Sequence, residues 1–223
     1  LPAAPELSAG VRFPALDGYR AIAATMVVLT HVATSTGAVS AGVFGMILGR
    51  FDFGVPLFFV MSGFLLYRPW VRAALEGRAA PNVGRYAVRR TGRIMPLYLV
   101  VVVVTLALLP ELQPVSTFQW VVHLLGLQIY TGGPLEGLTQ TWSLCTEISF
   151  YVALPVIGAI ALGRRRRSVD AALRRQAWLL GSLAAIALVW NVALQTSGRF
   201  SYDASFWLPG FLDWFAAGMA LAV

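Results

Sequence analysis

The chain has 223 residues, 58% of them hydrophobic and only 12% charged, with a mean hydropathy of +0.72, which excludes an ordinary water-soluble domain, a disordered chain and a coiled coil. Its seventeen basic residues are all arginine, against ten acidic ones. They are spread between apolar runs and form no single patch, which points to a bilayer rather than to nucleic acid. The class that remains is an all-α, polytopic transmembrane helix bundle.

A helix that crosses the hydrocarbon needs roughly 20 apolar residues at 1.5 Å each. Six runs approach that length. In chain order they are 21–39, 51–67, 94–109, 142–162, 177–194 and a run from Phe206 to the end. Pro96 is expected to sit in the first turn of the third, where a missing N–H costs nothing. Between the third and fourth spans, residues 118–130 would reach only about 20 Å against a core of about 30 Å. Residues 118–141 are therefore predicted to form an interfacial or re-entrant segment on the extracytoplasmic side. With a cytoplasmic N-terminus, six spans put fifteen arginines inside, among them Arg12, Arg68, Arg85 and Arg164 to Arg167, and leave Arg50 and Arg199 outside. Letting 118–130 cross would turn the Arg164 to Arg167 run outward, against the positive-inside rule. No repeat and no separate soluble domain is evident, so 1–223 reads as one multi-pass membrane domain.

Ionisable groups inside a span are costly and mark functional positions. His31 lies eleven residues past Arg20, about 16 Å along a helix and near the middle of the bilayer. It can serve as a general base near neutral pH or as a packing imidazole bonded across the bundle. Glu147 lies about 8 Å into the fourth span, with Trp142 and Ser143 above it and Tyr151 one turn below. A carboxylate there can orient the imidazole or pair with an arginine. Asp17 is spaced to pair with Arg20 on one helix face. Arg85, Arg89, Arg90 and Arg93 are dense enough to hold a phosphorylated ligand, and equally suited to anchoring the inner edge. Ser62 and Gly63 read as a close-packing pair, Asp213 as a surface cap, and Cys145 as a nucleophile or a small buried residue. No phosphate loop, dinucleotide fingerprint or metal-ligand spacing occurs, so neither a metal nor a permanently bound cofactor is expected.

Four stretches carry a resemblance. Leu16-Asp17-Gly18-Tyr19-Arg20-Ala21-Ile22-Ala23-Ala24 is followed by His31. Gly54-Val55-Pro56-Leu57-Phe58-Phe59-Val60-Met61-Ser62-Gly63-Phe64-Leu65 comes next. Arg89-Arg90-Thr91-Gly92-Arg93-Ile94-Met95-Pro96-Leu97-Tyr98 contains an RxxR pair, and Thr141-Trp142-Ser143-Leu144-Cys145-Thr146-Glu147-Ile148-Ser149-Phe150-Tyr151 closes the series. In this order they resemble the integral-membrane acyltransferase-3 family of bacterial O-acyltransferases. The chain departs from the family pattern at Pro56, Cys145, Thr146 and Ile148.

The resemblance implies a bundle of about ten helices, of which six would be present here in an N-terminal part. It implies transfer of an acyl group, acetyl above all, from cytoplasmic acyl-CoA to a hydroxyl of a carbohydrate or similar acceptor. His31 would be the base, with Glu147 and Arg20 as its catalytic companions. Arg89, Arg90 and Arg93 would hold the CoA phosphates, and Trp142, Ser143 and Tyr151 would meet the acceptor. The partners implied are acyl-CoA, the acceptor and the lipid of a bacterial inner membrane. A mid-bilayer His with Glu and Arg would also suit a proton-coupled transporter, and an inactive scaffold is the third alternative.

Overall fold

A computed structural model describes residues 13–163 and 168–223, so Arg12 and the Arg164 to Arg167 run lie outside the described residues. The described residues form eight α-helices and no strand: α1 (Pro14–Ser35), α2 (Gly42–Gly49), α3 (Gly54–Glu76), α4 (Val83–Leu108), α5 (Thr117–Leu124), α6 (Thr141–Leu162), α7 (Val169–Ser197) and α8 (Leu212–Ala220). Local sequence sets several ends. Pro14 opens α1. The Asn82 side chain caps α4 by accepting from the Arg85 N–H at 2.8 Å, and a Ser116–Gln119 capping box starts α5. Gly198, at φ 58°, ends α7 in the left-handed conformation that glycine adopts without strain.

Among the described residues four helical stretches are long and apolar enough to cross a membrane: Gly42–Glu76, Val83–Leu108, Thr141–Leu162 and Val169–Ser197. They coincide with the second to fifth expected spans. Helix α1 has 22 residues but is not among the four; Asp17, Arg20, Thr25, Thr30, His31 and Thr34 dilute its apolar content. The run from Phe206 is broken into short 3-10 turns ahead of the nine-residue α8. Pro96 does not open its helix. Helix α4 begins at Val83, and Pro96 sits in its interior, as Pro69 does in α3 and Pro155 in α6. Membrane helices tolerate interior proline because neighbouring groups satisfy the freed carbonyl. The apolar side chains turned outward fit a lipid surround: Leu97 is 72% exposed, Val152 74% and Trp178 78%.

The chain divides into two compact units, Leu1–Phe58 and Phe59–Val223. In the first, α1 packs on α2 and on the 3-10 turn Arg50–Phe53. Gly54 comes so near the Ala23 carbonyl and Val27 that a side chain would not fit, and the Thr30 hydroxyl donates to the Gly49 carbonyl at 3.4 Å.

In the second unit, α3 and α8 cross at two glycines. A Cβ on Gly63 would strike the Phe215 carbonyl, and one on Gly218 would strike the Val60 carbonyl, so backbone touches backbone as small residues permit in membranes. Phe150 stacks on Phe215 at 3.9 Å and Phe59 on Phe215 at 4.7 Å. Gly158 of α6 takes the Trp70 indole, and Tyr67 of α3 donates to Gln176 of α7. Helix α5 has eight residues, about 12 Å, too short to cross alone. It is tied down by buried polar contacts. The Tyr98 hydroxyl donates to the His123 carbonyl, and Gln128 Nε2 donates to Tyr98 Oη at 3.2 Å and to Thr141 Oγ1 at 2.9 Å. Among the described residues no buried side-chain nitrogen or oxygen lacks a partner, as a medium without water requires.

Candidate active site

In the first unit the two residues of interest lie on α1. Arg20 Nη1 pairs with Asp17 Oδ1 at 3.0 Å, and its side chain is 29% exposed. His31 is half-buried, and its Nδ1 lies 2.7 Å from the Val27 carbonyl one turn back. A carbonyl oxygen can only accept, so Nδ1 carries a proton, and in the neutral ring the lone pair is on Nε2. Among the described residues nothing bonds to that Nε2. The helix backbone thus fixes both the ring orientation and the tautomer, and the basic nitrogen is left for another molecule.

In the second unit Glu147 of α6 is a hydrogen-bond hub. Its Oε1 accepts from Ser62 of α3 and from the Tyr151 hydroxyl, one turn along α6, at 2.6 Å. No arginine lies within ion-pair distance of it among the described residues. Two hydroxyl donors therefore hold the carboxylate in a half-buried position. Tyr151 joins this hub to α4. Its carbonyl accepts from the Tyr86 hydroxyl at 3.1 Å, and the Arg90 guanidinium carbon lies 6.0 Å from its ring centroid, within cation–π range.

Two cavities flank that contact. One, of about 240 Å³, runs between α4 and α6 and is lined by Ile94, Met95, Ile148, Val152 and Pro155, with Arg90, Tyr86 and Tyr151 along its wall. The other, of about 230 Å³, lies between α3 and α4. Leu65, Leu66, Pro69 and Trp70 form one side of it, and Asn82, Arg85, Arg89 and Arg90 the other. Tyr86 and Arg90 belong to both. An apolar trough beside a cationic pocket suits a ligand with an anionic end and an apolar end.

The expected site residues thus fall into groups. Glu147, Tyr151 and Arg90 are brought together, and Arg89 lines the cationic cavity. Arg93 is exposed and lines neither of these cavities. Ser143 donates to the Gln140 carbonyl at 3.2 Å, and Trp142 packs on Phe206 and Phe211 at 4.8 and 5.3 Å. Both stand about 12 Å up α6 from Tyr151.

A family model described as an acyltransferase domain matches residues 13–223. The chain belongs to the acyltransferase-3 family. Comparison with curated proteins and with solved structures finds no match. The molecule is a membrane acyltransferase, and its polar residues can be weighed as such. Reading the acyltransferase by sequence alone misses Ser62 and Tyr86. Ser62 reads as a packing residue beside Gly63, and its partner is 85 positions away. Tyr86 precedes the apolar run that marks the span. The Glu147–Tyr151 spacing of one helical turn is the part of the hub visible locally.

Proposed function

We propose that this acyltransferase moves an acyl group, acetyl in the simplest case, from cytoplasmic acyl-CoA to a hydroxyl of a carbohydrate or similar acceptor. The setting is a bacterial inner membrane, with the N-terminus cytoplasmic. The observation that carries the reading is the 2.7 Å contact of His31 Nδ1 with the Val27 carbonyl, which makes Nδ1 the donor and leaves Nε2 without a partner among the described residues. In the step proposed, Nε2 removes the acceptor hydroxyl proton while the oxygen attacks the thioester carbonyl. A new ester C–O bond forms, the C–S bond breaks, and the leaving thiolate takes the proton back from the imidazolium. Arg20, steadied by Asp17, has guanidinium N–H groups without a partner among the described residues to offer the donor. Arg89 and Arg90 offer cationic contacts to the CoA phosphates. Glu147, with Ser62 and Tyr151, supplies a fixed carboxylate.

The test is incubation of the reconstituted protein with labelled acetyl-CoA and a panel of carbohydrate acceptors. Labelled ester is expected with the unaltered chain. His31→Ala is expected to lower the rate at least about a hundredfold while leaving acetyl-CoA binding in place. Undiminished transfer by that variant would remove the base, and absence of transfer from any acyl-CoA by the unaltered chain would remove the donor.

A further inference from the structure

The cationic cavity between α3 and α4 contains an arginine outside the RxxR pair: Arg85 lines it together with Arg89 and Arg90. Several features make this more than a row of anchoring charges. The three guanidinium-bearing residues share one cavity of about 230 Å³, and among the described residues no carboxylate lines it. The carboxylate of Glu76, at the end of α3, is paired with Arg78. Arg85 and Arg89 stand one turn apart on the same face of α4, a like-charge spacing that weakly disfavours the helix and that a bound anion would relieve. The cavity also includes Pro81 and Asn82, at the start of α4, where the first-turn N–H groups carry the positive end of the helix dipole. Opposite stands an apolar wall that includes Leu66 and Trp70, so the pocket excludes water on one side and presents charge on the other.

We propose that Arg85 is a phosphate-binding residue of this pocket, acting with Arg89 and Arg90 on the phosphates of the acyl donor, and that it takes the place expected of Arg93. The assignment rests on the acyl-CoA reading above and adds to it a residue that the motif does not contain.

Arg85 suits a test because its side chain is exposed and the cap of α4 uses its backbone N–H, so truncation spares the helix start. Acetyl-CoA binding would be measured by calorimetry on the detergent-solubilised full chain, for the unaltered protein and for Arg85→Ala, Arg85→Lys and Arg78→Ala. Binding of the same proteins to phosphatidylglycerol vesicles would be followed in parallel. Loss of one charged contact should weaken acetyl-CoA binding about tenfold or more in Arg85→Ala. Arg85→Lys should lose less, because it keeps the charge but not the fork. Arg78→Ala, which removes an equal charge outside the cavity, should bind as the unaltered protein does. In transfer assays Arg85→Ala should raise KM and leave kcat in place. If the unaltered chain binds acetyl-CoA and Arg85→Ala binds it equally well, the assignment is overturned while the donor reading stands. It is overturned likewise if only vesicle binding falls, which would make Arg85 a headgroup contact. If the unaltered chain binds no acyl-CoA at all, the donor reading itself fails, and the assignment with it.

Discussion

His31 and His123 use Nδ1 in the same way and differ in what Nε2 meets. Each bonds through Nδ1 to the carbonyl four residues back, Val27 at 2.7 Å and Gln119 at 2.8 Å. His31 keeps a free Nε2 among the described residues, whereas His123 Nε2 accepts the Leu135 N–H at 3.2 Å. His123 is also buried, and burial holds its pKa below the ordinary 6.5, outweighing the opposing effect of the Gln119 carbonyl. One imidazole is therefore open to chemistry and the other is a structural acceptor that must stay neutral. The sign of the pH effect follows. Above about pH 6.5 both folded and unfolded His123 are neutral and its contribution is fully present. As pH falls through that value toward the depressed folded pKa, the unfolded chain takes up the proton first and stability is lost. Protonation would also turn Nε2 from acceptor to donor and break its bond to Leu135. Thermal stability in detergent should fall as pH drops below about 6.5, and hydrogen exchange at the Leu135 amide should rise. His123→Phe should flatten the part of that profile due to this group. An unaltered slope in the variant would assign the effect to other residues.

Glycines at the helix crossings are the test at the level of elements. Gly63 and Gly218 face backbone carbonyls, which cannot move aside as a flexible side chain can. Gly63→Val should therefore force α3 and α8 apart and cost on the order of 3 kcal/mol. Gly181, exposed on α7, has nothing within 4 Å of where a Cβ would stand. Gly181→Ala should stabilise by about 0.5–1 kcal/mol by stiffening the unfolded chain. Unfolding midpoints in mixed detergent would check both, and equal effects at the two sites would refute the backbone-contact account. The same contrast shows what the sequence could convey. Apolar runs locate α3, α4, α6 and α7 because hydrophobic length is a local property. They misplace the start of α4 at Ile94 because hydropathy registers lipid, not helix; the Pro81-Asn82 cap marks the true start at Val83. The apolar run 21–39 marks α1 as well, although its polar residues keep it out of the four most apolar stretches. Within the site, Tyr151 beneath Glu147 could be read at helical spacing. The Ser62–Glu147 contact could not, because it depends on how α3 packs against α6.

Charge and crossing number together predict how the membrane domain lies in the bilayer. Helices α4 and α6 each cross once by length and composition, and α5 between them is too short to add a crossing. The connection 77–82 and the α6–α7 connection, taken at its described ends Gly163 and Ser168, must then share one face. The arginines near those connections, Arg68, Arg72, Arg78, Arg85, Arg89, Arg90, Arg93, Arg174 and Arg175, lie on that face, while Arg199 lies on the other. The positive-inside rule assigns the rich face to the cytoplasm. That is also the side from which the proposed acyl-CoA donor would reach the arginine-lined cavity. The chain provides its own background for the measurement, since its single cysteine, Cys145, is fully buried. In intact spheroplasts a membrane-impermeant maleimide should label Glu136→Cys, which is exposed in the connection between α4 and α6, and should leave Arg78→Cys unlabelled until the membrane is opened. The reverse pattern would invert the domain and put the arginine-lined cavity out of reach of cytoplasmic acyl-CoA. Labelling of both positions from one side would mean that α4 does not cross.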